Sequence, residues 1–107
     1  MGVYEVFERI TTAFPDVLFE SCSGGGGRFD LGMLYFSPQA WTSDNTDALS
    51  RLKIQWGTSL WAPACTMGAH VSTTPNHQTL RSATMKTRSL VAMCGTFGYE
   101  LDPRPLS

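Results

Sequence analysis

The stretch QAWTSDNTDALSRLKIQWG, residues 39–57, contains a short strand, a polar turn and a helix in succession. Residues 39–42 are predicted to form the strand. Thr46 is a suitable N-cap for the helix, Asp47 favours the positive end of its dipole, and Gly57 can terminate it. Three apolar side chains share one face of this helix: Leu49, Leu52 and Trp56.

The same alternation of helices and short strands continues toward the N-terminus. Residues 4–14 have apolar side chains at helical spacing. They are predicted to form a helix that buries one stripe, and Pro15 ends it because proline disfavours helical geometry in the preceding residue. Val17, Leu18 and Phe19 then form a short apolar run, which is typical of a parallel strand covered on both faces.

The alternation also continues toward the C-terminus. The remaining segments are an apolar passage at 31–36, strand or loop candidates at 58–64 and 67–73, a turn at 75–79, a short helix at 87–95 and a strand at 96–102. This order predicts an α/β fold with parallel strands. Ligands in such folds bind beyond the carboxyl ends of strands. Two polar clusters, Ser21–Ser23 and Thr42–Asp44, are predicted to lie at such ends.

The composition limits the classes of function. The chain has 107 residues, is 42% hydrophobic and 16% charged, and has a formal net charge of −1. One small domain is expected, and the low charge suggests that other protein covers part of it. Nucleic acid is not expected as a partner because no basic stripe is present. No apolar run is long enough for a membrane span and no signal pattern begins the chain, so a soluble, cytoplasmic protein is expected.

Several residue types that could carry chemistry have more than one reading. The four glycines at 24–27 suit a phosphate cradle, a tight connecting turn, or a loop whose backbone comes close to a ligand, but no Walker or dinucleotide motif is present. Cys22 could be a nucleophile, yet no cysteine-protease signature surrounds it. His70 and His77 match no zinc spacing, and the three cysteines form no Cys-x-x-Cys pair, so neither a metal nor a disulfide is expected.

Asp44 and Trp41 are the strongest candidates by position. A carboxylate directly after a strand and before a capped helix is where a catalytic acid is expected. Asp44 is equally suited to a turn or a cap, and Trp41 to a core or to a sugar-binding surface.

Four phrases of the chain resemble the microbial alpha-galactosidases of glycoside hydrolase family thirty-six, the melibiases. They are CSGGGGRFD at 22–30, WTSDNTD at 41–47, MGAHVSTTPNHQT at 67–79 and FGYELD at 97–102. The resemblance implies retaining hydrolysis of terminal alpha-linked galactose, in melibiose or raffinose-type oligosaccharides, on a (β/α)8 TIM barrel. It implies no metal and no organic cofactor, and a parent enzyme that forms homo-oligomers.

The resemblance also implies roles for particular residues. Asp44 matches the general acid/base. Cys22, Gly24 and Gly25 match a loop that approaches the galactose ring, and Trp41 matches a residue lining the same pocket. The glycines would then let backbone approach a sugar where a side chain would occupy the ligand's volume.

The chain also departs from the family pattern. The catalytic nucleophile of the family lies in a Lys-Trp-Asp phrase on an earlier strand, and that phrase is absent here. A complete barrel takes about 250 residues, so residues 1–107 are expected to be the C-terminal portion of the barrel, with later strands and helices only, inactive alone and marginally folded. Arg28 and Asp30 are expected to brace the glycine loop, and Leu31 and Leu80 stand where proline and glycine are common in the family.

Two other hypotheses remain open. The chain could be a non-catalytic galactose-binding or assembly module that uses the Cys22–Gly25 loop without chemistry. It could also belong to an enzyme that takes alpha-linked N-acetylgalactosamine or glucose, since the contacts that select the sugar lie partly elsewhere in the barrel.

Overall fold

The computed structural model describes residues 2–104. Its elements in chain order are α1 (Val3–Ala13), β1 (Glu20–Ser21), α2 (Leu31–Phe36), β2 (Gln39–Trp41), α3 (Ala48–Ser59), a 3-10 turn (Ala64–Thr66), β3 (Met67–Ser72), α4 (Met85–Ala92) and β4 (Thr96–Glu100). The strands form one parallel sheet in the order β1-β2-β3-β4, with a helix between each pair. Consecutive units of a (β/α)8 barrel have this arrangement, and the predicted α/β fold with parallel strands is confirmed.

The core lies around β3. Met67, Ala69 and Val71 on this strand are buried, and α4 packs over it with Val91 and Ala92. Five of the ten buried apolar residues within 2–104 are alanines. A core of such small side chains removes little apolar surface from water.

Helix α3 differs from its prediction at both ends. Asp47 is the N-cap, and its carboxylate accepts a hydrogen bond from the Ser50 N–H at 3.0 Å. Thr46 cannot cap the helix in the same way because its hydroxyl accepts a hydrogen bond from the Asn76 amide instead. The helix continues past Gly57 to Ser59.

The faces of α3 also differ from what an apolar stripe suggests. Its buried residues are Ala48, Arg51 and Gln55, whereas Leu49, Leu52 and Trp56 are exposed. The Arg51 guanidinium donates a hydrogen bond to the Gly68 carbonyl on β3 at 2.8 Å, and the Gln55 amide donates to the Val91 carbonyl at 2.8 Å. Hydrogen bonds to backbone therefore decide which side of α3 faces the sheet.

Two predictions for the N-terminal third are wrong. Strand β1 follows the apolar run at 17–19 rather than coinciding with it, and Leu18 is 85% exposed. Helix α1 forms as predicted, but none of its residues is buried. Within residues 2–104, β1 pairs only with β2 and α1 packs mainly on α2, so the apolar side chains of this region have no second layer to cover them.

The remaining segments mostly follow the predictions. Segment 67–73 forms β3, 96–102 contains β4, and 75–79 contains a turn. Segment 58–64 is the end of α3 and a loop, and the apolar passage at 31–36 is the helix α2. Helix α4 ends at Ala92, before Gly95. No helix among the described residues is long and apolar enough to cross a membrane.

Candidate functional site

The two polar clusters lie side by side at the carboxyl edge of the sheet. Ser21 pairs with Ala40 in the parallel register of β1 and β2. Cys22 therefore follows one strand, and Thr42 to Asp44 follow its neighbour. The expectation that both clusters lie at carboxyl ends of strands is confirmed.

The glycine loop packs directly against the backbone of the second cluster. A β-carbon on Gly25 would lie 2.1 Å from the Asp44 nitrogen, and one on Gly26 would lie 2.4 Å from the Thr42 carbonyl oxygen. Gly24, Gly25 and Gly26 also have positive φ angles, of 57°, 65° and 96°. Glycine is favoured at all three positions because L-residues avoid this conformation, and at Gly25 and Gly26 any side chain would also displace the neighbouring loop.

The backbone around Asp44 is held from the side of the β3–α4 loop. The Gln78 amide donates a hydrogen bond to the Asp44 carbonyl at 2.9 Å and accepts one from the Thr46 N–H at 3.1 Å. The Asp44 side chain is exposed. Within residues 2–104 its carboxyl oxygens accept no protein hydrogen bond, so the group can meet a ligand on a fixed backbone.

A cleft of about 310 Å³ opens beside these loops. It is lined by Glu20, Cys22, Trp41, His70, Tyr99 and Glu100. The Trp41 ring lies 4.7 Å from the His70 ring, and His70 Nδ1 lies 3.8 Å from a Glu100 carboxyl oxygen. Trp41 is 9% exposed and forms a largely buried wall of this cleft, whereas Tyr99 is exposed. A cleft with aromatic walls and a few acidic groups can bind a sugar.

The predicted site residues thus fall into two adjoining groups. Cys22 and Trp41 line the cleft. Asp44 and Gly25 touch each other through the loop backbone, and Gly24, next to Gly25, has open space at its α-carbon. No group of three His, Cys, Asp or Glu side chains suited to a metal ion occurs between residues 2 and 104.

Asp30 has a different place from the one expected. One of its carboxyl oxygens accepts hydrogen bonds from the Met33 N–H and from the Tyr4 hydroxyl, both at 2.9 Å. These donors hold the pKa of Asp30 below its usual value. Asp30 therefore caps α2 and joins it to α1, while the Arg28 carbonyl accepts a hydrogen bond from Ser21.

Arg51 is a site residue that the sequence pattern did not suggest. Its guanidinium lies 4.2 Å from the centre of the Trp41 ring and donates a hydrogen bond to the Thr42 hydroxyl at 2.7 Å. Burial lowers its pKa, and the negative charge of Glu100 opposes that effect. Arg51 lies three positions after Ala48 and four before Gln55, so the three side chains share one face of α3. This spacing is the one sequence signal that could have indicated Arg51.

Comparison with known proteins gives a consistent result. The Melibiase family model matches residues 1–107. The chain is 69% identical over 102 residues to the alpha-galactosidase AgaA of Geobacillus stearothermophilus, covering 95% of this chain and 14% of that protein. It is 61% identical over 107 residues to the bifunctional alpha-galactosidase/sucrose kinase AgaSK of Mediterraneibacter gnavus, covering 100% of this chain and 11% of that protein.

Solved structures contain the same fold. The galactosidase domain of AgaSK matches with a TM-score of 0.96 and 61% identity, over 98% of this chain and 15% of that one. A doubly substituted variant of AgaA from Geobacillus stearothermophilus in complex with raffinose matches with a TM-score of 0.95 and 66% identity, over 98% of this chain and 15% of that one. The chain thus spans about a seventh of the length of the relatives it matches. Because the family model covers all of its residues, the chain belongs to the Melibiase family.

Proposed function

We propose that this chain is the C-terminal portion of the catalytic barrel of a retaining alpha-galactosidase, which hydrolyses terminal alpha-galactosyl residues of melibiose and raffinose-type oligosaccharides. The observation that carries the proposal is the position of Asp44. Its exposed carboxyl group follows β2, its backbone is clamped between Gly25 and Gln78, and Trp41, three residues earlier at the end of the same strand, lines a cleft. The doubly substituted variant of AgaA, which matches 98% of this chain, was solved in complex with raffinose.

In the proposed mechanism Asp44 is the general acid/base. It donates a proton to the departing glycosidic oxygen and then removes one from the incoming water. Trp41, Cys22 and the backbone at Gly24 and Gly25 line the pocket. Retention needs a second carboxylate about 5 to 5.5 Å from the first. No Lys-Trp-Asp phrase occurs in the chain, so this group comes from another part of the enzyme and the chain alone is inactive.

The first prediction is tested in a chimera, in which this chain replaces the matching segment of AgaA. The chimera is expected to hydrolyse raffinose. Asp44→Asn should lower kcat/KM for raffinose by about 10² to 10⁴-fold, which is the usual contribution of general acid–base catalysis. The same substitution should lower kcat/KM for an activated aryl galactoside far less, because a good leaving group departs without protonation.

The matched control is Asp16→Asn, which neutralises an exposed carboxylate that precedes β1. It should leave kcat/KM for both substrates unchanged. An equal loss on both substrates for Asp44→Asn would remove Asp44 from the acid/base role. An inactive chimera, together with galactose binding by the isolated chain in calorimetry, would favour the non-catalytic binding module instead.

A further inference from the structure

A buried arginine lies beneath the candidate site and has no part in the mechanism above. Arg51 is 3% exposed and projects from the inward side of α3. Within residues 2–104 no carboxylate pairs with it at salt-bridge distance. Its hydrogen-bond acceptors are all neutral: the Thr42 hydroxyl and the carbonyls of Ser43 and Gly68.

Such an arrangement is a poor way to stabilise a fold. A charge taken out of water loses hydration, and neutral acceptors return only part of that free energy. The lowered pKa of Arg51 has the same origin, since burial disfavours its charged form. An apolar side chain of similar volume would fill the same space without this cost. The contacts of Arg51 therefore indicate a role in orienting the groups that it touches.

These contacts converge on the two groups that a sugar would meet. Nη1 donates to the Thr42 hydroxyl at 2.7 Å and to the Ser43 carbonyl at 3.2 Å. The Ser43 carbonyl belongs to the peptide group that leads into Asp44, so holding this carbonyl fixes the plane of that peptide group and with it the position of the Asp44 α-carbon.

The same guanidinium also fixes the aromatic surface of the cleft. Its Cζ atom lies over the Trp41 ring, 4.2 Å from the ring centre, while Nη2 donates to the Gly68 carbonyl on β3 at 2.8 Å. The planar fork of arginine can hold a ring and two carbonyls in one geometry, which a lysine cannot do. Trp41 and the loop carrying Asp44 are thus tied to one rigid group.

We propose that Arg51 is a positioning residue, which aligns the Asp44 carboxyl group with the cleft that Trp41 lines. This inference rests on the proposed function and adds a residue to it. The exposed Gln78 holds the following peptide from the solvent side, whereas Arg51 holds the preceding one from the protein interior.

The test uses the chimera with Arg51→Met and Arg51→Lys. Misplacing the acid should slow the hydrolysis of raffinose more than that of an activated aryl galactoside. The kcat/KM for raffinose divided by that for the aryl galactoside should therefore fall by about tenfold or more in Arg51→Met. The KM for raffinose should rise as Trp41 loses its support. Arg51→Lys keeps the charge without the fork and should recover only part of the ratio.

The matched control is Arg88→Met. Arg88 is 6% exposed, lies on α4 and also donates to backbone carbonyls, those of Ala83 and Ser72. Its loss should lower Tm without changing the ratio between substrates. If the Arg51 variants lower Tm and leave that ratio unchanged, Arg51 is structural and the inference is overturned.

A milder variant covers the case in which Arg51→Met fails to fold. Thr42→Val removes one acceptor and keeps the shape of the side chain, so it should shift the ratio in the same direction by a smaller factor. An unchanged ratio in Thr42→Val would then overturn the inference. The proposed function fails separately, if Asp44→Asn slows both substrates equally.

Discussion

At the scale of single residues, Gly24 and Gly25 offer a matched pair. Both have left-handed φ angles, but a β-carbon at Gly24 meets nothing within 4 Å, whereas one at Gly25 collides with the Asp44 backbone. Gly24→Ala should cost only the strain of the backbone, roughly 1–2 kcal/mol. Gly25→Ala must also move the loop that carries Asp44.

The second prediction follows from this difference. In the chimera, Gly25→Ala should reduce kcat/KM for raffinose by at least about 10²-fold, since displacements near 1 Å have effects of this size. Gly24→Ala should lower Tm and reduce kcat/KM by a smaller factor than Gly25→Ala, because its β-carbon lies on the wall of the pocket but meets no atom of the loop that carries Asp44. Equal activity of the two variants would show that the contact between Gly25 and Asp44 is not needed.

Leu80 carries a second kind of strain. Its φ is 57°, and the side chain is 79% exposed in the β3–α4 loop. Leucine in this conformation costs roughly 1–2 kcal/mol, and glycine avoids that cost at the expense of greater freedom in the unfolded chain. Leu80→Gly should therefore raise the free energy of unfolding of the chimera by up to about 1 kcal/mol.

Thermal unfolding measures this effect directly, and Leu80→Ala is the control. Alanine also removes the exposed leucine side chain but keeps the β-carbon that causes the strain. A rise in Tm for both variants would mean that loss of the exposed side chain causes the gain. A rise for Leu80→Gly alone would mean that relief of the backbone strain causes it.

At the scale of elements, periodicity located α1 and α3 but not the faces they bury, and the helix α2 was not predicted. The apolar side chains of α3 share a face as predicted, yet the chain buries the neighbouring face, about 100° around the helix, through Ala48, Arg51 and Gln55. Sequence spacing tells which side chains lie together. It does not tell which partner covers them, and the partner for Leu52 and Trp56 is not among the described residues.

The parts of the candidate site that depend on neighbouring positions in the sequence were predictable. Strand ends and polar clusters placed Cys22 and Asp44 at one edge of the sheet, and the glycine run indicated a close approach of backbone. Arg51 and Gln78 could not be found in this way. Gln78 lies 34 positions from Asp44 along the chain, and its contact depends on the packing of β2 beside β3.

At the scale of the whole molecule, the described chain is more open than an independent domain of its length. The radius of gyration is 15.1 Å, against about 13 Å for a compact chain of this size. β1 and β4 form the two edges of the sheet as described, and both leave backbone groups unpaired. Large apolar side chains are exposed on several elements, among them Leu18, Tyr35, Trp56 and Tyr99.

The last prediction follows from this openness. The isolated chain should bind a dye for exposed apolar surface, show weak near-ultraviolet circular dichroism and unfold over a broad range of urea, because its alanine-rich core supplies little cooperative burial. In the chimera the same segment should unfold together with the rest of the protein, since its apolar faces and strand edges are covered there. Hydrogen exchange of the β3 amides would compare the two states, with strong protection expected only in the chimera. A single sharp transition of the isolated chain without dye binding would instead mean that these residues form a stable unit, and would support the binding module over a part of a barrel.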